Sequence, residues 1–191
     1  MKSEKCKLQN ERAGGATARE QLAPLGVLLE DPWQHVTRCV DLWVPGVAMP
    51  QPRARRSRWG GVYTPESVRP WKVAIRAAMM QARVEDPHWP PQPINSPVAV
   101  KVVVLMPRPE RLKRRSSPPG LIPHAVKPDV DNLAKAILDA LNPGRRAGTG
   151  LAAPAWTDDA RVFALEVLAF WTTHPGGVTG AAIRIGWRDA T

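Results

Sequence analysis

Apolar residues alternate with other side chains in three stretches of this chain and recur at steps of three and four in two more. The first alternating stretch runs from Arg38 to Val44 and ends at Pro45-Gly46, a strong turn signal. The second carries Val98, Val100, Val102, Val104 and Met106 on one side, with Val103 and Leu105 on the other. Apolar residues on both sides predict a central strand covered on both faces. The third runs from Arg161 to Thr172. The turn Pro175-Gly176-Gly177 and a final strand through AAIRIGW follow it.

The helical pattern appears first at Val68, Trp71, Ile75, Ala78, Met79 and Ala82, ending near Val84. Thr64-Pro65-Glu66 precedes it and reads as its start, with Thr64 as N-cap and Pro65 at the first position. A second helix is predicted from about Asp129 to Leu141. There Val130, Leu133, Ala134, Ile137 and Leu141 fall within about 100° of arc. The order β-α-β-α-β-β predicts one α/β or α+β domain over residues 38–191, with a mixed sheet and two helices. Residues 1–37 show no sustained period and read as a poorly ordered tail. Residues 142–155 form a Gly/Ala-rich loop.

Composition narrows the class. The chain has 191 residues, 21 prolines and a net charge of +10. No apolar run approaches the roughly 18 residues of a membrane span, and no apolar segment follows the charged start, so neither a spanning helix nor a signal peptide is expected. Two cysteines make no disulfide framework, which points to a cytoplasmic setting. The charge is concentrated: between Arg53 and Arg115 there are 14 Lys/Arg against 4 Asp/Glu, and the flanking segments each balance to zero. Such a segment suits a polyanion, most simply nucleic acid. Arg53, Arg55, Arg56 and Arg58 sit in one Pro/Gly-rich loop, and Arg111, Lys113, Arg114 and Arg115 in another. Neither loop has the period of a buried element, so both should be exposed.

Within this basic protein, five of the 17 acidic residues fall between 129 and 159, and all five are Asp. Pro128 fixes the helix start near Asp129. Asp131, Lys135 and Asp139 follow on one face at i, i+4 and i+8. Clustered carboxylates raise each other's pKa unless a cation sits between them. Mg²⁺ prefers oxygen ligands and keeps several waters, so two or three Asp suffice to hold it. A metal so held can activate water and neutralise charge on a phosphate, with a lysine helping. The bland alternative is that Asp129 caps the helix and Asp131 complements its dipole. Asp158 and Asp159 stand at the mouth of the third strand, where Asp is disfavoured. Following directly on the helix, that strand could bring Asp158 or Asp159 to complete a three-carboxylate site.

The motifs K-P-D-V-D-N-L-x-K-x-x-L-D-A-L (Lys127 to Leu141) and W-x-D-D-A-R-V (Trp156 to Val162) resemble those of the RusA family of Holliday-junction endonucleases. So do Pro45-Gly46 with the Arg-rich loop, and Val62-Tyr63-Thr64-Pro65; together they span about residues 38 to 187. The resemblance implies a small α/β, Mg²⁺-dependent (Mn²⁺ as substitute), homodimeric resolvase that cuts four-way DNA junctions in paired strands, of bacterial or phage origin. It places catalytic carboxylates on Asp129, Asp131 and Asp159 and a catalytic lysine on Lys135. Metal ligation falls to Asp129, Asp131 and Asp159, with Asp158 matching the first acid of its pair. Asn132 supports the site, and DNA contacts fall to Arg53, Arg55, Arg56, Arg58, Lys127, Arg114 and Arg115. The tail and the 142–155 loop are longer than the family pattern, and Arg145 and Arg146 could reach DNA from that loop.

Two other functions fit parts of the pattern. A non-catalytic nucleic-acid binder would have no reason to keep Asp129, Asp131, Lys135 and Asp159 together. A phosphotransferase with a D-x-D nucleophile would follow a buried apolar strand, and Pro123–Pro128 is not one. His35, His88, His124 and His174 lack partners at ligand spacing and read as surface or loop residues. The eight tryptophans read mostly as core or loop anchors; Trp59, among arginines, could stack on an unpaired base, but core packing is the stronger expectation for it.

Overall fold

The computed structural model describes residues 33, 36–56, 58–63, 65–142, 154–174 and 176–188. Strand β1 (Arg38–Pro45) leads through a two-stranded ribbon, β2 (Arg55–Arg56) and β3 (Val62–Tyr63), to helix α1 (Arg69–Glu85). Strand β4 (Val98–Met106), the short β5 (Ile122–Pro123), helix α2 (Val130–Leu141), β6 (Val162–Trp171) and β7 (Gly180–Trp187) complete the order. Five strands form one mixed sheet in the order β1-β7-β4-β6-β5. The pair β4–β6 is parallel and the other neighbours are antiparallel. This is the expected α+β domain. The ribbon and β5, two residues per strand, are too short to leave a period and were not anticipated.

Strand β4 is central, and all nine of its residues are buried. Its even-numbered side chains join Trp71, Ile75 and Met79 of α1 and Leu133, Ile137 and Leu141 of α2 in one core. At about 2 kcal/mol for each fully buried large apolar side chain, this layer supplies most of the driving force for folding. Helix α1 begins at Arg69, after a 3₁₀ turn over Glu66–Val68, so it starts later than Pro65. Pro70 occupies its first turn, where a missing N–H costs nothing. Thr64, the expected cap, lies outside the described residues, as do 143–153 and nearly all of the tail. Of the tail, Trp33 packs over Gly186, where a Cβ would sit 2.5 Å from its ring.

The opposite sheet face has a small apolar group, Val103, Leu105 and Ala182. Beside it a row of charges crosses four strands. Asp41 pairs in register with Arg184, Arg184 with Lys101, and Lys101 with Glu166. Arg184 donates to both Asp41 carboxylate oxygens, at 2.6 and 2.7 Å. Lys101, only 5% exposed, meets Glu166 at 2.9 Å. Burial disfavours the Arg184 cation, but the hydrogen bonds and charge of Asp41 hold its pKa above the ordinary value. Asp41→Asn leaves two neighbouring cations with one fewer counter-charge. It should lower unfolding free energy by roughly 3 kcal/mol in a urea titration; an unchanged midpoint would show that the row is not a structural element.

Candidate active site and nucleic-acid interface

Three strands leave the sheet at the same end. Gly180 pairs with Pro45 of β1 and Leu105 of β4, and Trp171 of β6 pairs with Met106. Ligands of α/β sheets gather outside such carboxyl ends. Helix α2 returns across the sheet from this end, and its first turn carries the acidic motif. The Lys127–Pro128 peptide is cis, and Asp129 follows in extended conformation at the N-cap position.

The Asp129 side chain makes no capping hydrogen bond. The carboxylate is therefore not consumed by the structural role that this position most often has. Asp131 and Lys135 are exposed, and among the described residues neither side chain, nor that of Asp129, has an ion-pair or hydrogen-bond partner. Asp139 belongs elsewhere: it accepts from Lys72 of α1 at 3.0 Å. Arg76 of α1 also donates to the Ala140 carbonyl at 3.3 Å, so this flank of α2 holds the two helices together. Val130, expected in the core, is 43% exposed, because the first turn of α2 projects past the sheet end.

The loop after β1 docks on this turn. The Gln51 amide donates to the Asn132 carbonyl at 2.9 Å. Gln51, Pro52, Arg53, Ala54, Asn132 and Lys135 line an open groove there. The Arg-rich loop is thus fastened beside Lys135. Arg53, Arg56 and Arg58 are exposed, as are Arg114, Arg115 and Lys127. Arg55 lies in β2. Trp59 is not a core residue: it is 82% exposed, with the Arg58 guanidinium 4.6 Å from its ring centre. Arg145 and Arg146 lie outside the described residues.

The second acidic pair is divided in role. Asp158 accepts from the Ala160 amide at 2.8 Å and caps the 3₁₀ turn Asp159–Arg161. One oxygen of Asp159, Oδ1, accepts from Asn142 Nδ2 at 2.8 Å and from Trp156 Nε1 at 3.3 Å. Trp156 is fully buried, bridged to Ile94 by backbone pairing, so its indole is a fixed donor. In the sequence Asn142 opens the 142–155 loop, and its role has no signal in spacing. Asn142 also caps the C-terminus of α2. Eleven residues separate it from Asp131, about 16 Å of helix. Asp159 therefore stands at the far end of α2 from Asp129 and Asp131.

The expected gathering of three carboxylates within one chain is thus corrected. A helix joining parallel strands runs against them, so the next strand begins where the helix ends, not where it starts. Consistently, among the described residues no three His, Cys, Asp or Glu side chains are grouped to hold a metal ion. His124 lies in the loop after β5, its ring packed against Trp171 at a 53° tilt, with centroids 4.3 Å apart.

A mixed five-stranded sheet with a basic rim and paired carboxylates on a helix N-terminus is an arrangement suited to nucleic-acid phosphates. The family model described as endodeoxyribonuclease RusA matches residues 45–179. The chain belongs to the RusA endodeoxyribonuclease family, which acts on Holliday junctions. It is also 30% identical over 143 residues to the uncharacterized protein YqaN of Bacillus subtilis (strain 168), covering 72% of this chain and 91% of that one. No helix among the described residues is long and apolar enough to cross a membrane.

The two acids should separate by mutation. Asp158→Ala loses a cap, costing about 1 kcal/mol of stability and little cleavage. Asn142→Ala removes the shorter of the two hydrogen bonds that orient the Asp159 carboxylate and should cut junction cleavage by about 10-fold with little change in melting temperature. Equal cleavage by wild type and Asn142→Ala would show that Asp159 needs no orienting.

Proposed function

We propose that this chain resolves four-way DNA junctions as a homodimer, cutting strands in pairs by metal-dependent hydrolysis in the cytoplasm of a bacterium or phage-infected cell. The observation that carries this reading is the uncommitted trio at the start of α2. Asp129 declines the capping role, and Asp131 and Lys135 stay exposed beside a docked arginine loop.

The donor set fits Mg²⁺, with Mn²⁺ as substitute: hard carboxylate oxygens, accessible to a hydrated ion that needs only one or two of them. Asp129 and Asp131 would hold it, with Asp159 as further ligand. The metal supplies a nucleophilic water and charge neutralisation at the phosphate. Lys135 places an ammonium beside the same phosphate and stabilises charge that develops on it. Exposed Arg53, Arg56, Arg58, Arg114, Arg115 and Lys127 bind neighbouring phosphates and hold the DNA arm across the sheet end. Arg55 belongs to the same basic ribbon.

The separation of Asp159 from Asp131 supports the homodimer. A second chain related by a two-fold axis can offer its Asp159 to the first chain's Asp129 and Asp131, and reciprocally. Two such sites would suit the near-symmetry of a four-way junction.

Chelation with EDTA should abolish cutting. Asp131→Asn and Asp159→Asn should each be inactive while binding junctions at least as tightly as wild type. Mixed and reassociated, they should regain nicking, to about a quarter of wild-type site content, because half the dimers carry one intact site. Failure of the mixture to nick, with heterodimers present, would contradict a site shared between chains.

A further inference from the structure

Arg108 stands two residues beyond β4 and is 6% exposed. Its guanidinium spends every N–H on backbone carbonyls. Nε donates to Thr172 at 2.6 Å, Nη1 to Leu112 and Pro118 at 3.2 and 3.1 Å, and Nη2 to Gly120 and Thr173 at 2.6 and 2.8 Å. No carboxylate is among these partners. A buried charge is expensive unless it is fully hydrogen-bonded, and five charge-assisted bonds meet that requirement. Lysine could not replace it, because three donors on one nitrogen cannot span five carbonyls from two segments.

The segments it joins are informative. Residues 172–173 continue β6, and 109–120 form the second basic loop. The parallel strands β4 and β6 end side by side, with the Thr172 amide donating to the Met106 carbonyl at 2.9 Å. From that corner Arg108 gathers the loop's stem: Leu112 on its outward limb, Pro118 and Gly120 on its return. Inside the loop, amides of Leu112, Lys113 and Ser117 bond to the carbonyls of Pro109, Glu110 and Arg114. Glu110 pairs with Lys113. Arg111, Arg114 and Arg115 are exposed. The chain then passes through β5 on the edge of β6 toward Lys127 and Asp129.

We propose that Arg108 is a positioning residue for DNA recognition. It pre-forms the 109–120 loop, so that Arg114 and Arg115 meet phosphate without the cost of ordering the loop on binding. This rests on the reading that the loop contacts DNA, and the experiment separates the two ideas. Binding to a four-way junction is measured as a function of salt for wild type, R114A/R115A, R108K and the triple variant. R114A/R115A should flatten the slope of log K against log salt by about 2 units, for two lost phosphate contacts. R108K keeps the charge count but loses the clamp. It should weaken binding about tenfold at every salt concentration while keeping the wild-type slope, because the loop, once ordered on the DNA, makes the same phosphate contacts. In the triple variant the R108K loss should vanish, because no arginine is left for the loop to place. Wild-type affinity in R108K, beside a flattened slope in R114A/R115A, would overturn the role of Arg108 while leaving the loop at the DNA. An unchanged slope in R114A/R115A would remove the loop from the interface and the proposal with it. Hydrogen exchange on the wild-type protein decides the matter if R108K does not fold. The Leu112, Lys113 and Ser117 amides should be protected before DNA is added, and protection that arises only with the junction would overturn pre-formation.

Discussion

The parallel pairing of β4 with β6 is the constraint on which the rest of this molecule depends. Two parallel neighbours require the chain to travel back the length of the sheet between them, and α2 makes that journey here. Its apolar stripe of Leu133, Ile137 and Leu141 lies in the core shared with β4. Its ends are thereby fixed at opposite edges of the domain: Asp129 and Asp131 where the parallel strands finish, Asn142 and Asp159 where β6 begins. The same rule sends both basic loops to the acidic end, since each follows a strand that terminates there. Charge and carboxylates meet because of topology, although the sequence spreads them from Arg53 to Asp131.

Both basic loops at that end are fastened through backbone carbonyls, and Arg53, Arg56, Arg114 and Arg115 stay exposed. The Gln51 amide fastens the arginine-rich loop to α2 through the Asn132 carbonyl. Arg108 fastens the other loop through five carbonyls. Lys72 and Arg76 occupy the flank of α2 with α1 and leave Asp131 and Lys135 alone. Arginines used inside the protein are thus distinct from arginines left on its surface, a division that net charge alone cannot reveal.

The long elements were legible because each repeats its signal. Nine buried residues in β4 and the stripe on α2 offer many matches to one period. What escaped lacked repetition or depended on tertiary geometry. Val130 fits the α2 stripe by angle but overhangs the sheet, and Trp59 is apolar by type but rides on Arg58 at the surface. Asp139 shares a helix face with Lys135 by spacing, while the packing of α1 gives it to Lys72. The local motifs named Asp129, Asp131, Lys135, Asp158 and Asp159 as a group. Only the direction of the crossover helix shows that Asp159 lies at the other end.

The central claim is that this end of the sheet acts on branched DNA, with its carboxylates serving a metal. The most direct measurement is cleavage of an end-labelled four-way junction, beside a linear duplex of the same sequences, by the purified protein in Mg²⁺. The account predicts cuts in opposed strands of the junction and none in the duplex. Equal cutting of both substrates, or none of either by a folded protein, would contradict it.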